Sequence, residues 1–103
     1  MAKFSVYQLK GSENRDLRFD VTFGENCAEV AKKAFYDRRY TCVAEITADD
    51  LNHCFEVGNI GPEQNIARFG PMASLSSGDL LCDPETGATW FIARVGFEQI
   101  IAA

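Results

Sequence analysis

The chain has 103 residues, 47% of them hydrophobic and 24% charged, with fifteen acids against ten bases for a net charge of −5. That is material for one domain with one core and no large enclosed cavity, and eight Phe, three Tyr and one Trp argue against disorder. The acidic balance argues against direct nucleic-acid binding, which calls for a basic patch; the paired bases Lys32-Lys33 and Arg38-Arg39 have acids beside them.

The opening MAKFSVYQL lacks a long apolar segment. No apolar run approaches the ~20 residues that span a bilayer, so a cytoplasmic protein without membrane contact is expected. Lys3–Leu9 alternates, Phe4 and Val6 against Ser5, Tyr7 and Leu9, and predicts a first strand. Lys10–Asp16 is a polar loop. Leu17–Phe23 alternates again, with Leu17, Phe19, Val21 and Phe23 facing one way and Arg18, Asp20 and Thr22 the other. It reads as a half-buried strand or an extended arm.

Gly24-Glu25-Asn26 breaks that pattern. Asn26 and Glu29 stand as in a capping box. Cys27, Val30, Ala31, Ala34 and Phe35 then follow helical spacing over roughly ten residues. Tyr40–Ile46 is the next strand, Tyr40, Cys42, Ala44 and Ile46 alternating against Thr41, Val43 and Glu45. Thr47 and Asp50 form a second capping box, and the acids Asp49 and Asp50 suit the positive end of a helix. Leu51, Cys54 and Phe55 make its buried stripe, and Gly58 is placed to stop it.

Asn59–Ala73 is the least regular segment, with the steps Gly61-Pro62 and Gly70-Pro71. A compact domain seldom keeps so long a loop without a use. Ile66, Phe69 and Met72 either pack down or form a partner surface. Arg68 and Arg94 are the two bases of the second half and, brought together, would hold an anion.

Ser74–Asp79 reads as a loop whose hydroxyls either bind a ligand or, more in keeping with serine, satisfy turn backbone. Leu80–Cys82 and Thr89–Val95 are two strands joined by the turn Asp83–Gly87, where Pro84 and Gly87 supply the geometry of a reversal. Trp90, Ile92 and Arg94 share one face and Phe91, Ala93 and Val95 the other. Both faces are largely apolar, so this is an inner strand with Arg94 at an edge or opening.

Cys27, Cys42, Cys54 and Cys82 form no CxxC pair and read as reduced, buried, small hydrophobes. The adjacent His53 and Cys54 point different ways on a helix and make a poor ligand pair. No Walker, GxGxxG, GxSxG or HExxH motif is present. With one His, nothing assembles a catalytic site, and no cofactor or metal is expected.

The stretches FSVYQLK, RFD, TADDLNHCFEVGN, SLSSGDLL and GFEQI fall in an order that resembles small YodL-like proteins, which are common on phages, plasmids and other mobile elements. Ser74-Leu75-Ser76, Asp79 and Gly96-Phe97 match best, Ser77-Gly78 departs, and Asn59–Met72 has no counterpart. The resemblance implies a context and no chemistry.

The expected fold is α+β: a mostly antiparallel sheet of four to five strands with two short helices, in a single domain. The expected function is non-enzymatic binding of a protein partner through the Asn59–Ala73 loop and the adjacent hairpin, on Ile66, Arg68, Phe69, Met72, Trp90 and Arg94. An exposed apolar strand would also serve for a homodimer. The runner-up is an acidic inhibitor of a host defence nuclease, of the anti-CRISPR or anti-restriction type, using Asp16, Asp20, Glu45, Asp49, Asp50 and Glu56. A small-ligand or enzymatic domain is a third reading.

Overall fold

In the computed structural model, which describes residues 2–102, the first alternating stretch is the central strand β1 (Ala2–Leu9). Around it lie α1 (Arg15–Phe23), α2 (Cys27–Tyr36), β2 (Tyr40–Ala48), α3 (Leu51–Asn59), β3 (Ile66–Arg68), β4 (Leu80–Cys82), β5 (Thr89–Ile92) and β6 (Phe97–Ile101). The six strands form one sheet in the order β3-β2-β1-β4-β5-β6, and every neighbouring pair is antiparallel. The fold is α+β with an antiparallel sheet, as expected. The element count is corrected: six strands and three helices among the described residues, not four to five strands and two helices.

Strand alternation sends side chains to both faces, and each face has its own core. On one, α3 covers Phe4, Val6, Ile46, Leu81 and Ile92 with Cys54 and Val57. On the other, α1 and α2 cover Leu9, Tyr40, Leu80 and Phe91 with Val21, Ala31 and Ala34. The hairpin follows the predicted alternation as far as Ala93, with Trp90 and Ile92 on the α3 side and Phe91 and Ala93 on the α1–α2 side. Its second strand ends at Ile92 instead of Val95, and Arg94 turns to α1 instead of sharing the Trp90 face. β5 is an inner strand between β4 and β6. In its turn Gly87 N–H donates to Asp83 O at 2.7 Å and Glu85 N–H to the Asp83 carboxylate at 2.9 Å.

β2 departs from strict alternation. Tyr7 stands opposite Cys42 and Val6 opposite Ala44, which leaves Val43 as a bulge. One extra residue flips the pattern. Tyr40 therefore packs under α1 and α2, whereas Ala44 and Ile46 pack under α3.

The main correction is α1. Leu17–Phe23, expected as a strand, is helical. Its four apolar residues divide at helical spacing: Val21 is 2% exposed and Leu17 packs beside it, whereas Phe19 and Phe23 are each 61% exposed. The start is held by the buried Asn14. Its amide donates to Lys10 O at 2.6 Å, and its oxygen accepts from Arg39 Nη2 at 2.6 Å. Arg18 reaches back to Gly11 O at 3.0 Å. These contacts turn the chain away from β1 before a second strand forms.

α2 spans the predicted residues, but its capping box is not made. Asn26 is left-handed, φ 56°, and its side chain caps nothing. α3 begins later than the Thr47 cap implies, because Asp50 is itself the N-cap and accepts from His53 N–H at 2.8 Å. Gly58 lies inside α3 instead of ending it. A Cβ there would meet Leu75 Cδ1 at 2.5 Å, so this glycine serves close approach of helix and loop. No described helix is long and apolar enough to cross a membrane.

Candidate functional site

Most apolar side chains of this protein are covered. Phe19 and Phe23 are not. They stand one turn apart on α1, rings in contact at a centroid distance of 5.2 Å. Asp16 and Asp20 are exposed beside them. The four occupy positions i, i+3, i+4 and i+7, which share one face of a helix, opposite Leu17 and Val21. Neither aspartate makes an ion pair among the described residues. The local sequence is a tandem four-residue unit, Asp-Leu-Arg-Phe followed by Asp-Val-Thr-Phe. That period, close to one helical turn, is the signal that alternation concealed.

Arg94 holds the C-terminal end of this stripe. Its guanidinium lies 5.4 Å from the centre of the Phe23 ring, and its Nε donates to Thr22 O at 3.1 Å. A cation at the last turn of a helix also complements the helix dipole. Arg94 lines a hollow of about 540 Å³ between α1, α2 and the sheet, with Phe23, Cys27, Glu29, Phe91 and Glu98. On its other side a hollow of about 250 Å³ is lined by Phe55, Ile92 and Phe97. Val95, the next residue, is 93% exposed.

The residues expected to bind a partner are not brought together. Ile66, Met72 and Trp90 pack against the α3-side core. The long loop is thus mostly anchored, and β3 within it adds an edge strand to β2. Phe69 stays out, 63% exposed, with Ile60 at 83%. Arg68 is engaged by the Glu63 carboxylate, whose pKa is lowered by that bond. Arg68 sits on β3 at one edge of the sheet, and Arg94 follows β5 next to the opposite edge strand. The two do not form a joint anion site, because the sheet keeps them apart.

The six candidate carboxylates are also divided. Asp16 and Asp20 are on α1, Asp49, Asp50 and Glu56 at or on α3, across the sheet. Glu45 pairs with Lys3 at 3.8 Å. Asp50 is spent on the α3 cap, and Asp49 N–H donates to His53 Nδ1 at 2.9 Å.

Ser74–Asp79 is a structural junction rather than an open polar loop. The buried Gln8 donates to Ala73 O at 2.9 Å and to the Asp79 carboxylate at 3.2 Å, and accepts from Ala73 N–H at 3.1 Å. Asp79 also accepts from Ser76 N–H at 3.0 Å. Burial pushes its carboxyl up to about 6, against the pull of these hydrogen bonds. Tyr40 OH donates to Gly78 O at 2.6 Å, and its pKa is raised by burial and by the Asp79 charge. Gly78 has φ +97°, and a Cβ there would meet Val21 Cγ2 at 2.7 Å; only glycine lets the turn and α1 come so close. Ser77 Oγ donates to Ala93 O at 3.3 Å. The backbone-satisfying role expected for this loop falls largely to Asp79 and Gln8.

All four cysteines are free. Cys54 is fully buried, and burial raises its thiol to about 12, which makes it a poor nucleophile. Cys27, Cys42 and Cys82 are only partly covered, which corrects the expectation that all four are buried. No group of three metal-ligating side chains occurs among the described residues.

Comparison with known proteins finds no matching family model, no matching curated protein and no matching solved structure.

Proposed function

We propose that this chain is a non-enzymatic binding protein that acts by attaching to another protein, in the mobile-element context its YodL-like stretches imply. The supporting observation is the Phe19–Phe23 pair: two rings, each 61% exposed, in mutual contact on a helix whose other face is in the core. Exposed aromatics gathered at one place are a mark of interaction surfaces, whereas single exposed apolar residues are ordinary. Phe69 and Ile60 of the 59–73 loop are exposed as well.

The test is affinity capture from the source cell's lysate at low and high salt, with mass spectrometry of what stays bound. The wild type is compared with Phe19→Ser/Phe23→Ser and with Phe69→Ser. A stoichiometric protein that survives high salt and is lost with one of the variants supports the reading. Identical captures from all three proteins, or nothing bound at either salt, overturn it.

A second reading, the acidic inhibitor of a defence nuclease, is supported by the unpaired Asp16 and Asp20. It expects the captured protein to be a nuclease, lost at high salt and lost with Asp16→Lys/Asp20→Lys.

A further inference from the structure

The α1 stripe carries information about what it meets. Its apolar part is two phenyl rings, enough to anchor a contact in which aromatics dominate. Its charged part is Asp16 and Asp20, on the same face and without ion-pair partners among the described residues. Glu25, at the elbow between α1 and α2, is exposed as well. The bases nearby are differently placed. Arg18 is turned back to Leu9 O and Gly11 O, and Arg94 is held by Thr22 O and the Phe23 ring. Arg15, Arg18 and Arg94 are all exposed, but Arg18 and Arg94 are committed to these contacts.

In an antiparallel isologous contact between two such stripes the aspartates would face phenyl rings and an Arg94 already engaged by Thr22 O and Phe23. In a parallel one they would face each other, where like charges in a desolvated contact are costly. A nucleic-acid backbone is disfavoured for the same reason. β6 is no better route to a dimer. Between the pairs Thr89 with Ile101 and Trp90 with Gln99, Ile100 is skipped, and a bulge on an edge strand hinders edge-to-edge pairing.

We infer that the outward stripe Asp16–Phe19–Asp20–Phe23 docks on a different protein, against an apolar surface flanked by lysines or arginines. The rings enter the apolar surface, and the two carboxylates meet its basic rim. Arg94 lies against the Phe23 ring, its guanidinium 5.4 Å from the ring centre. This rests on the reading of the chain as a protein-binding protein and specifies the face and the chemistry of the partner.

The experiment uses the full chain and two fluorescent helical peptides. One carries a leucine face flanked by lysines, and the other has glutamate in place of every lysine. Anisotropy is read at low and high salt, with circular dichroism to confirm that each variant is folded. The lysine peptide is expected to bind and the glutamate peptide not. Asp16→Asn/Asp20→Asn is expected to weaken binding roughly tenfold at low salt. Asp49→Asn/Glu56→Gln removes the same charge from the α3 side and is expected to leave it unchanged. Phe19→Ser/Phe23→Ser is expected to abolish the binding that remains at high salt.

Equal loss from the two charge-removing pairs would assign the effect to net charge and overturn the inference. So would equal binding of both peptides, no binding of either, or indifference to the phenylalanine pair. Sedimentation of the wild type showing a dimer that Phe19→Ser/Phe23→Ser dissolves would give the face to a second copy, and would overturn it too. A partner still captured from lysate after any of these outcomes would leave protein binding standing and only this face and chemistry refuted.

Discussion

Two segments of this protein carry apolar residues with no obvious place in a core: α1 and the irregular stretch from Asn59 to Asp79. The irregular stretch has the glycines, the prolines and the length of a free loop, yet it is tied down. Ile66, Met72 and Leu75 pack into the α3-side core, Asn65 donates to Thr47 O at 3.2 Å, and Gln8 grips the Ala73 backbone with both ends of its side-chain amide. α1 is regular secondary structure with its inner face buried, and it nevertheless leaves two phenyl rings in solvent. Irregular backbone here buries most of its large apolar side chains, Ile60 and Phe69 excepted, and regular backbone displays a contacting pair of them. A rigid element holds an exposed ring in a fixed position, at lower entropic cost to a partner than a loop would impose.

That contrast can be broken most severely at Leu75, 3% exposed and in contact range of Gly58. Leu75→Ala is expected to cost about 3 kcal/mol in chemical denaturation and to open the 59–79 stretch to limited proteolysis, with α1 still protected. Protection of that stretch equal to the wild type's would show that the polar contacts alone anchor it.

Asp79 gives the next largest effect. Its carboxyl is pushed from an ordinary 3.8 up to about 6 in the folded protein. Between about pH 4 and pH 6 the folded state holds a proton that the unfolded state has lost, so this group's contribution makes stability fall as pH rises through that window. The amount is about 2–3 kcal/mol, at roughly 1.4 kcal/mol per pH unit. Asp79→Asn is expected to flatten that component. The variant's melting temperature should exceed the wild type's at pH 8, with the gap closing toward pH 4. A constant gap would show that Asp79 is solvated.

Met72→Ala, partly buried against the core, is expected to cost about 1–2 kcal/mol, below the range for a fully buried methionine. The smallest effects belong to the displayed residues. Phe19→Ser/Phe23→Ser is expected to change stability by less than about 0.5 kcal/mol in urea melts. Arg68→Ala, whose ion pair with Glu63 is solvent-exposed, is expected to leave the urea midpoint where it is. A loss of 2 kcal/mol or more (about the scale of a buried side chain) for the phenylalanine pair would mean that α1 buries those rings.

How much was legible in the amino-acid order depended on whether the periodic apolar residues of an element all met a core. In β1, α2 and β4 they do, and each was readable at close to its true span, whereas the second hairpin strand, expected over Thr89–Val95, ends at Ile92. α1 has apolar residues on two faces. Leu17 and Val21 look inward and Phe19 and Phe23 outward, and the sum mimics the every-second-residue pattern of a strand. The stripe proposed here as the binding face was hidden by the same residues that compose it. Arg94 was expected on the Trp90–Ile92 face at an edge or opening; it follows the end of β5 and reaches Phe23 on α1, a contact that needed α1 to be helical.

The order of residues by itself determined an α+β domain with an antiparallel sheet, because alternation, turn chemistry and helical spacing act within a few residues along the chain. Only the tertiary structure decided the rest. The bulge at Val43 flips Tyr40 to the face opposite Ile46 because β2 must match a partner strand. Asn14 and Arg39 close over the start of α1 from 25 residues apart. Gln8 meets Asp79 across 71 residues. Those contacts choose which apolar residues are covered, and by doing so they choose which are left to meet something else.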